Sequence, residues 1–114
     1  MRVPRMTLQV QLVLVEMLKD PAAPRYGLDL CAETGLPSGT IYPILARLER
    51  IGWVDSDWEH PETHIAEGRP RRRYYQLTRD GAELGGEALQ AIQRERKSAA
   101  RAWHIPAPGT SGAG

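Results

Sequence analysis

The sequence predicts a mainly α-helical chain with a small β-hairpin, arranged as a winged helix-turn-helix with one further helix on its C-terminal side. Three observations carry that prediction. In residues 38–52, SGTIYPILARLERIG, the apolar side chains Ile41, Ile44, Leu45, Leu48 and Ile51 recur at the steps of one helix face. A shorter helical stretch precedes them and ends at Gly35, with only Leu36-Pro37 as the link. Two short alternating stretches follow, joined by a polar segment that runs into Arg69, Arg71, Arg72 and Arg73.

Taken in order, residues 1–6 are a lead-in, and Thr7 is placed to cap a helix reaching about residue 20. Val10, Val13, Leu14, Met17 and Leu18 form one stripe of it; Leu8, Leu12 and Val15 form a second. A helix apolar on two sides must be covered on two sides, by its own domain and by another body such as a second copy of the chain. A strand competes here because valine is frequent, but the length and the ending Glu16-Met17-Leu18-Lys19 favour helix. Residues 21–24, PAAP, form a loop. A second helix is expected over residues 26–34, with Leu28, Leu30 and Cys31 inward and Gly35 as its terminator.

The third helix has Ser38 as N-cap and Gly52 just past its last periodic residue. Pro43 lies inside it. With Ser38 as the cap, proline falls beyond the first turn and removes a backbone bond. If regular helix starts nearer Thr40 the cost largely vanishes, so an irregular first turn is expected. Residues 53–59 then read as a strand with Val54, Ser56 and Trp58 on one face. Residues 71–77 read as its partner, with Tyr75 and Leu77 inward. Between them, residues 60–70 are polar, contain Pro61, Gly68 and Pro70, and predict a flexible wing tip. Thr78 can cap a last helix over residues 79–102, whose apolar face is Leu84, Ala88, Leu89, Ala91 and Ile92. Gly81, Gly85 and Gly86 weaken its first half and permit a close backbone neighbour. Residues 104–114 are a disordered tail by composition.

With 114 residues there is room for one small core and not for a deep catalytic cavity as well. Apolar residues make up 41% and charged residues 25%, as in ordinary globular proteins, and the net charge of +1 says less than its distribution. Acidic residues at 55, 57, 59, 62 and 67 precede the arginine run, which is the footprint of a phosphate-binding edge. The single cysteine, Cys31, excludes an internal disulfide framework and fits a reducing compartment. No apolar run approaches the roughly 20 residues of a spanning helix. The expectation is a cytoplasmic protein, with no membrane partner. No G-x-S-x-G, no phosphate-cradling glycine loop with lysine and no supported cysteine–histidine pair is present, so no enzyme is expected. No cofactor is expected either. His60, Glu62 and His64 resemble a metal motif only superficially, because proline follows His60 where a zincin needs glutamate on a helix.

Function-bearing residues are weighed against plainer roles. From periodicity alone the third helix is an ordinary amphipathic helix with a solvated face. The turn before it and the wing after it reverse that weighting and make it a reader of the DNA major groove. Its N-terminal end, Ser38, Gly39, Thr40, Tyr42 and Pro43, is the expected contact region, with Arg47 one turn on to reach phosphate or guanine. Arg50 is left to solvent or to a carboxylate. In the wing, Arg69 and Arg71 lie nearest the tip and are expected at the DNA backbone or minor groove, with Arg72 outward beside them and Arg73 pointing inward. The plainer role is a charged edge that discourages aggregation. Trp103 has no core to join; it either packs on a partner's first helix or stacks a planar ligand.

These residues carry a resemblance to the PadR family of bacterial transcriptional regulators. The matching segments are Tyr26-Gly27, then Ser38-Gly39-Thr40-Ile41-Tyr42-Pro43-Ile44-Leu45 and Leu48-Glu49-Arg50-Ile51-Gly52. Gly68-Arg69-Pro70-Arg71-Arg72-Arg73-Tyr74-Tyr75 and Leu77-Thr78-Arg79-Asp80-Gly81 complete them. The resemblance implies a homodimer that binds a double-stranded DNA operator, usually as a repressor, and is nucleoid-associated when bound. It implies dimerisation through the C-terminal helix with help from the first, and release by a small hydrophobic or aromatic effector. The chain is similar to the short branch, with a single terminal helix. Residues 1–78 are then the winged helix-turn-helix, 79–103 the C-terminal dimerisation helix and 104–114 the tail. The alternative is a winged-helix protein-interaction module without DNA binding, against which the arginine wing and polar third helix both speak.

Overall fold

The structure, a computed structural model, describes residues 3–103. Within them the chain forms α1 (Leu8–Leu18), β1 (Arg25–Tyr26), α2 (Gly27–Thr34), α3 (Ser38–Arg50), β2 (Val54–Trp58), α4 (Pro61–Glu67), β3 (Arg73–Leu77) and α5 (Arg79–Trp103). The strands make one antiparallel sheet in the order β1-β3-β2. The architecture is the winged helix-turn-helix that the pattern predicts, with a third strand added. The tail, residues 104–114, lies outside the described residues.

Most helix boundaries follow from identifiable capping. The Thr7 hydroxyl accepts the Val10 N–H at 3.2 Å and starts α1. Gly35 ends α2 at φ +76°. At the end of α3 the Gly52 N–H donates to Glu49 O at 3.1 Å and the Trp53 N–H donates to Leu48 O at 2.9 Å. That pair is a Schellman motif, and its left-handed residue is Gly52 at φ +86°. The Thr78 hydroxyl accepts the Gly81 N–H at 2.9 Å and starts α5.

Four expectations need correcting. The cap of α3 is Pro37, with no side-chain bond, and Ser38 is already helical. The first turn is tightened, because both the Thr40 and Ile41 N–H groups donate to Pro37 O. Helix continues through Pro43. The carbonyl that Pro43 cannot reach belongs to exposed Gly39, where water can serve it. Leu28 is not inward but 65% exposed, since α2 is only eight residues long and buries Leu30 instead. Residues 60–70 are not an unstructured tip: α4 fills them, with Pro61 at its start and Gly68 closing it. Finally, the sheet is more than a hairpin, because Arg25 and Tyr26 pair with Tyr75 and Tyr74 along the free edge of β3.

The core is one cluster. It takes Val10, Val13, Leu14 and Met17 from α1, Leu30 from α2, and Ile41, Ile44, Leu45 and Leu48 from α3. Trp53, Val54, Tyr75 and Leu77 close it on the sheet side. Full burial of side chains this size stabilises by about 1.5–3 kcal/mol each. Trp53, the largest fully buried side chain, sits where three elements meet. Its ring lies against Gly85, and a Cβ on Gly81 would collide with its backbone carbonyl. The close neighbour that the α5 glycines permit is therefore the chain's own Trp53. Leu84, Ala88 and Leu89 pack on the same cluster. From Gln93 to Trp103 every residue of α5 is exposed. No helix among the described residues is long and apolar enough to cross a membrane.

Candidate nucleic-acid interface

The core stripe of α3 leaves its other face outward. Ser38, Gly39, Tyr42, Pro43 and Arg47 are exposed and Thr40 is half-buried. Beside this face stands the wing, and between them lies a cleft of about 690 Å³ lined by the start of α2, Tyr42 and residues 69–73. The cleft brings Tyr42 together with Arg69, Arg71 and Arg72. Ser38, Gly39, Thr40, Pro43 and Arg47 do not line it; they share the helix that forms its wall. Trp103 ends α5, is 77% exposed, and is not among the residues of the cleft.

The wing is braced by a carboxylate. Glu59 follows β2 and is 4% exposed. Arg69 donates from both terminal nitrogens to its two oxygens, one of these bonds at 3.0 Å, and the Arg72 backbone N–H donates to it at 2.7 Å. The hydrogen bonds from Arg69, helped by the Arg72 N–H and the surrounding positive charge, lower the Glu59 pKa from 4.5 to about 2 against the opposing effect of burial. The bonds to Glu59, and after them a pairing with Glu67 at 3.0 Å, hold the proton of Arg69 more tightly than usual. These bonds fold the end of α4 back onto the root of the wing. The Arg71 Nε–H adds a bond to Glu59 O at 2.9 Å.

Aromatic rings carry the remaining arginines. Arg71 and Arg73 lie over the Trp58 ring at 5.8 and 5.2 Å, and Arg72 lies over Tyr26 at 5.3 Å. Arg73, expected inward, donates to Ser56 Oγ at 2.6 Å, and the Ser56 hydroxyl donates to Glu49 of α3 at 2.6 Å. That chain ties wing to helix. Among the described residues no carboxylate pairs with Arg47, Arg71 or Arg72. Of these, Arg71 and Arg72 line the cleft, and Arg47 is exposed on α3. Arg71 and Arg72 rest on aromatic rings, which would lower the entropy lost on binding an anion.

Several contributors escaped the sequence reading. Glu59 looked like one of five acidic residues; only the fold of α4 brings Arg69 to it. Gly27 and Tyr26 stood out through the family resemblance alone, with no role attached. His64 Nδ1 lies 3.0 Å from Arg69 O. Among the described residues no group of three or more ligating side chains is placed to hold a metal.

Comparison with known proteins comes to the same architecture. The pattern of the family described as "Transcriptional regulator PadR-like family" matches residues 14–86. Among solved structures, a PadR-like transcription factor from Bacteroides fragilis superposes with a TM-score of 0.64 at 23% identity, covering 82% of this chain and 88% of that one. A PadR family transcriptional regulator from Eggerthella lenta gives 0.65 at 23% identity, covering 87% and 88%. The PcaV transcriptional regulator of Streptomyces coelicolor, in complex with its natural ligand, gives 0.67 at 21% identity, covering 93% and 67%. At these identities the likeness is one of fold. No curated protein matches the chain.

Proposed function

The chain belongs to the PadR-like family of transcriptional regulators, and from that premise we propose that it is a homodimeric repressor that binds a pseudopalindromic DNA operator. It is a regulator rather than an enzyme. One observation carries the DNA reading: Tyr42, on the exposed face of α3, lines one cleft together with the wing arginines Arg71 and Arg72. In this reading Ser38, Gly39, Thr40, Tyr42 and Pro43 enter the major groove, and Arg47 reaches phosphate or guanine. Arg71 and Arg72 hold the flanking backbone, while Arg69 acts on the wing's shape through Glu59.

The dimer reading rests on surfaces left uncovered. Leu8, Leu12 and Val15 of α1 remain 61%, 38% and 47% exposed, as a helix apolar on two sides requires if a second body covers it. The solvated end of α5 offers Trp103 to the partner or to a small hydrophobic effector. Two copies would present two α3 helices about 34 Å apart, one turn of DNA.

A mobility-shift assay on the DNA upstream of the gene tests the proposal. Specific binding is expected at moderate salt, weakened about 10-fold or more by Tyr42→Ala and by Arg47→Ala with the fold retained. Binding no stronger to that region than to scrambled DNA sinks it.

A further inference from the structure

We propose that Gly27 is a positioning residue for the Tyr42 ring and so sets how α3 reads DNA; this rests on the operator-binding reading above. Gly27 is the first residue of α2 and is buried. A Cβ there would stand 2.5 Å from Tyr42 Cε1 and 2.6 Å from both Cζ and Oη. Those atoms form one edge of the phenol, so the ring's hydroxyl end rests on the bare backbone of Gly27. Its other neighbour is Tyr75, with ring centroids 6.4 Å apart and planes at 56°. Tyr75 is buried in the core and cannot yield, whereas Tyr42 is 39% exposed and can swing outward.

The ring is therefore held between a fixed aromatic and a missing side chain. Laid down in this way, Tyr42 forms part of the cleft lining opposite Arg71 and Arg72. A methyl group at residue 27 pushes the ring off its seat and into the space that the wing arginines face. The backbone gains nothing from glycine here: Gly27 has no left-handed φ, and a helix tolerates alanine better. The three atoms nearest to such a Cβ all belong to the outer ring edge and hydroxyl of one half-exposed side chain, so the ring can move while the fold survives and the reading surface changes. Gly27 touches no DNA itself; it acts through Tyr42.

The test is a double-mutant cycle on full-length protein, read as affinity for the operator duplex and for a scrambled duplex. Gly27→Ala is expected to bind the operator about 10-fold more weakly and the scrambled duplex unchanged, with the melting temperature within about 2 °C of wild type. In a Tyr42→Ala background Gly27→Ala is expected to add no loss, because the collision is gone. In a Tyr42→Phe background it is expected to remain costly, because the ring edge is still there. Equal losses in all three backgrounds, an unchanged operator affinity for Gly27→Ala, or unfolding that Tyr42→Ala does not rescue would each overturn the assignment. Wild-type operator affinity for Tyr42→Ala alone would overturn the Tyr42 contact as well, which separates failure of the contact from failure of its positioning.

Discussion

Glu59 shows how one carboxylate converts a run of arginines into a shaped surface. With Arg69 and the Arg72 N–H bonded to it, its pKa falls from 4.5 to about 2. A group whose pKa is depressed by folding lends stability above its unfolded value and loses it as pH falls through the folded one. The wing is therefore expected to loosen between about pH 4.5 and 2. Urea titrations at pH 6, 4 and 3 check this: Glu59→Gln should start less stable and show a shallower decline over that window, whereas parallel declines in both proteins would exclude the brace. Arg69 stood nearest the tip in sequence and so was expected at the DNA. Its commitment to Glu59 and Glu67 was not legible, because it depends on α4 returning the chain. Tyr42 and Arg47 needed less: helical period alone turns them outward.

Elements were legible in proportion to the apolar face they present. α1, α3 and β3 bury residues that the periodicity picks out, whereas β2 buries Val54 but leaves Trp58, expected on the same face, 45% exposed. β1 has two residues and exists only because β3 offers a free edge. α4 buries nothing, so it gives no period, although Pro61, Glu62 and Gly68 carry the grammar of a helix start and stop. The glycines of α5 divide by environment in a way that sequence cannot show. A Cβ on Gly81 meets the Trp53 carbonyl, while one on Gly86 meets nothing within 4 Å. Gly81→Ala is expected to destabilise by about 2–3 kcal/mol, since a backbone must move. Gly86→Ala is expected to stabilise by up to about 1 kcal/mol through helix propensity. Thermal melts of the two variants should shift in opposite directions; a shift of the same sign in both would discount the close approach at Trp53.

At the scale of the whole molecule, the proposed dimer makes a demand on α1. Leu12→Glu places a charge on its exposed stripe without touching the core residues Val13 and Leu14. The expected outcome is a folded monomer by light scattering, with operator affinity lowered about 100-fold because each half-site is then bound alone. A dimer of unchanged stability would move the seam elsewhere. The peptide at residue 53 then acquires a mechanical meaning. Its N–H is bonded to the end of α3, and its carbonyl accepts the Thr78 N–H at the root of α5. The Gly52 carbonyl, one residue earlier, accepts the Thr78 hydroxyl at 2.6 Å. Two helices are thus bolted to one pivot, and the second, of 25 residues, is a rod about 37 Å long. A tilt of about 5° at that pivot moves the far end of such a rod by about 3 Å. In a dimer seamed along the rods, their tilt and the separation of the two reading heads become a single variable. Any molecule that prefers one tilt must alter the grip on DNA, and DNA must alter the grip on that molecule by the same factor.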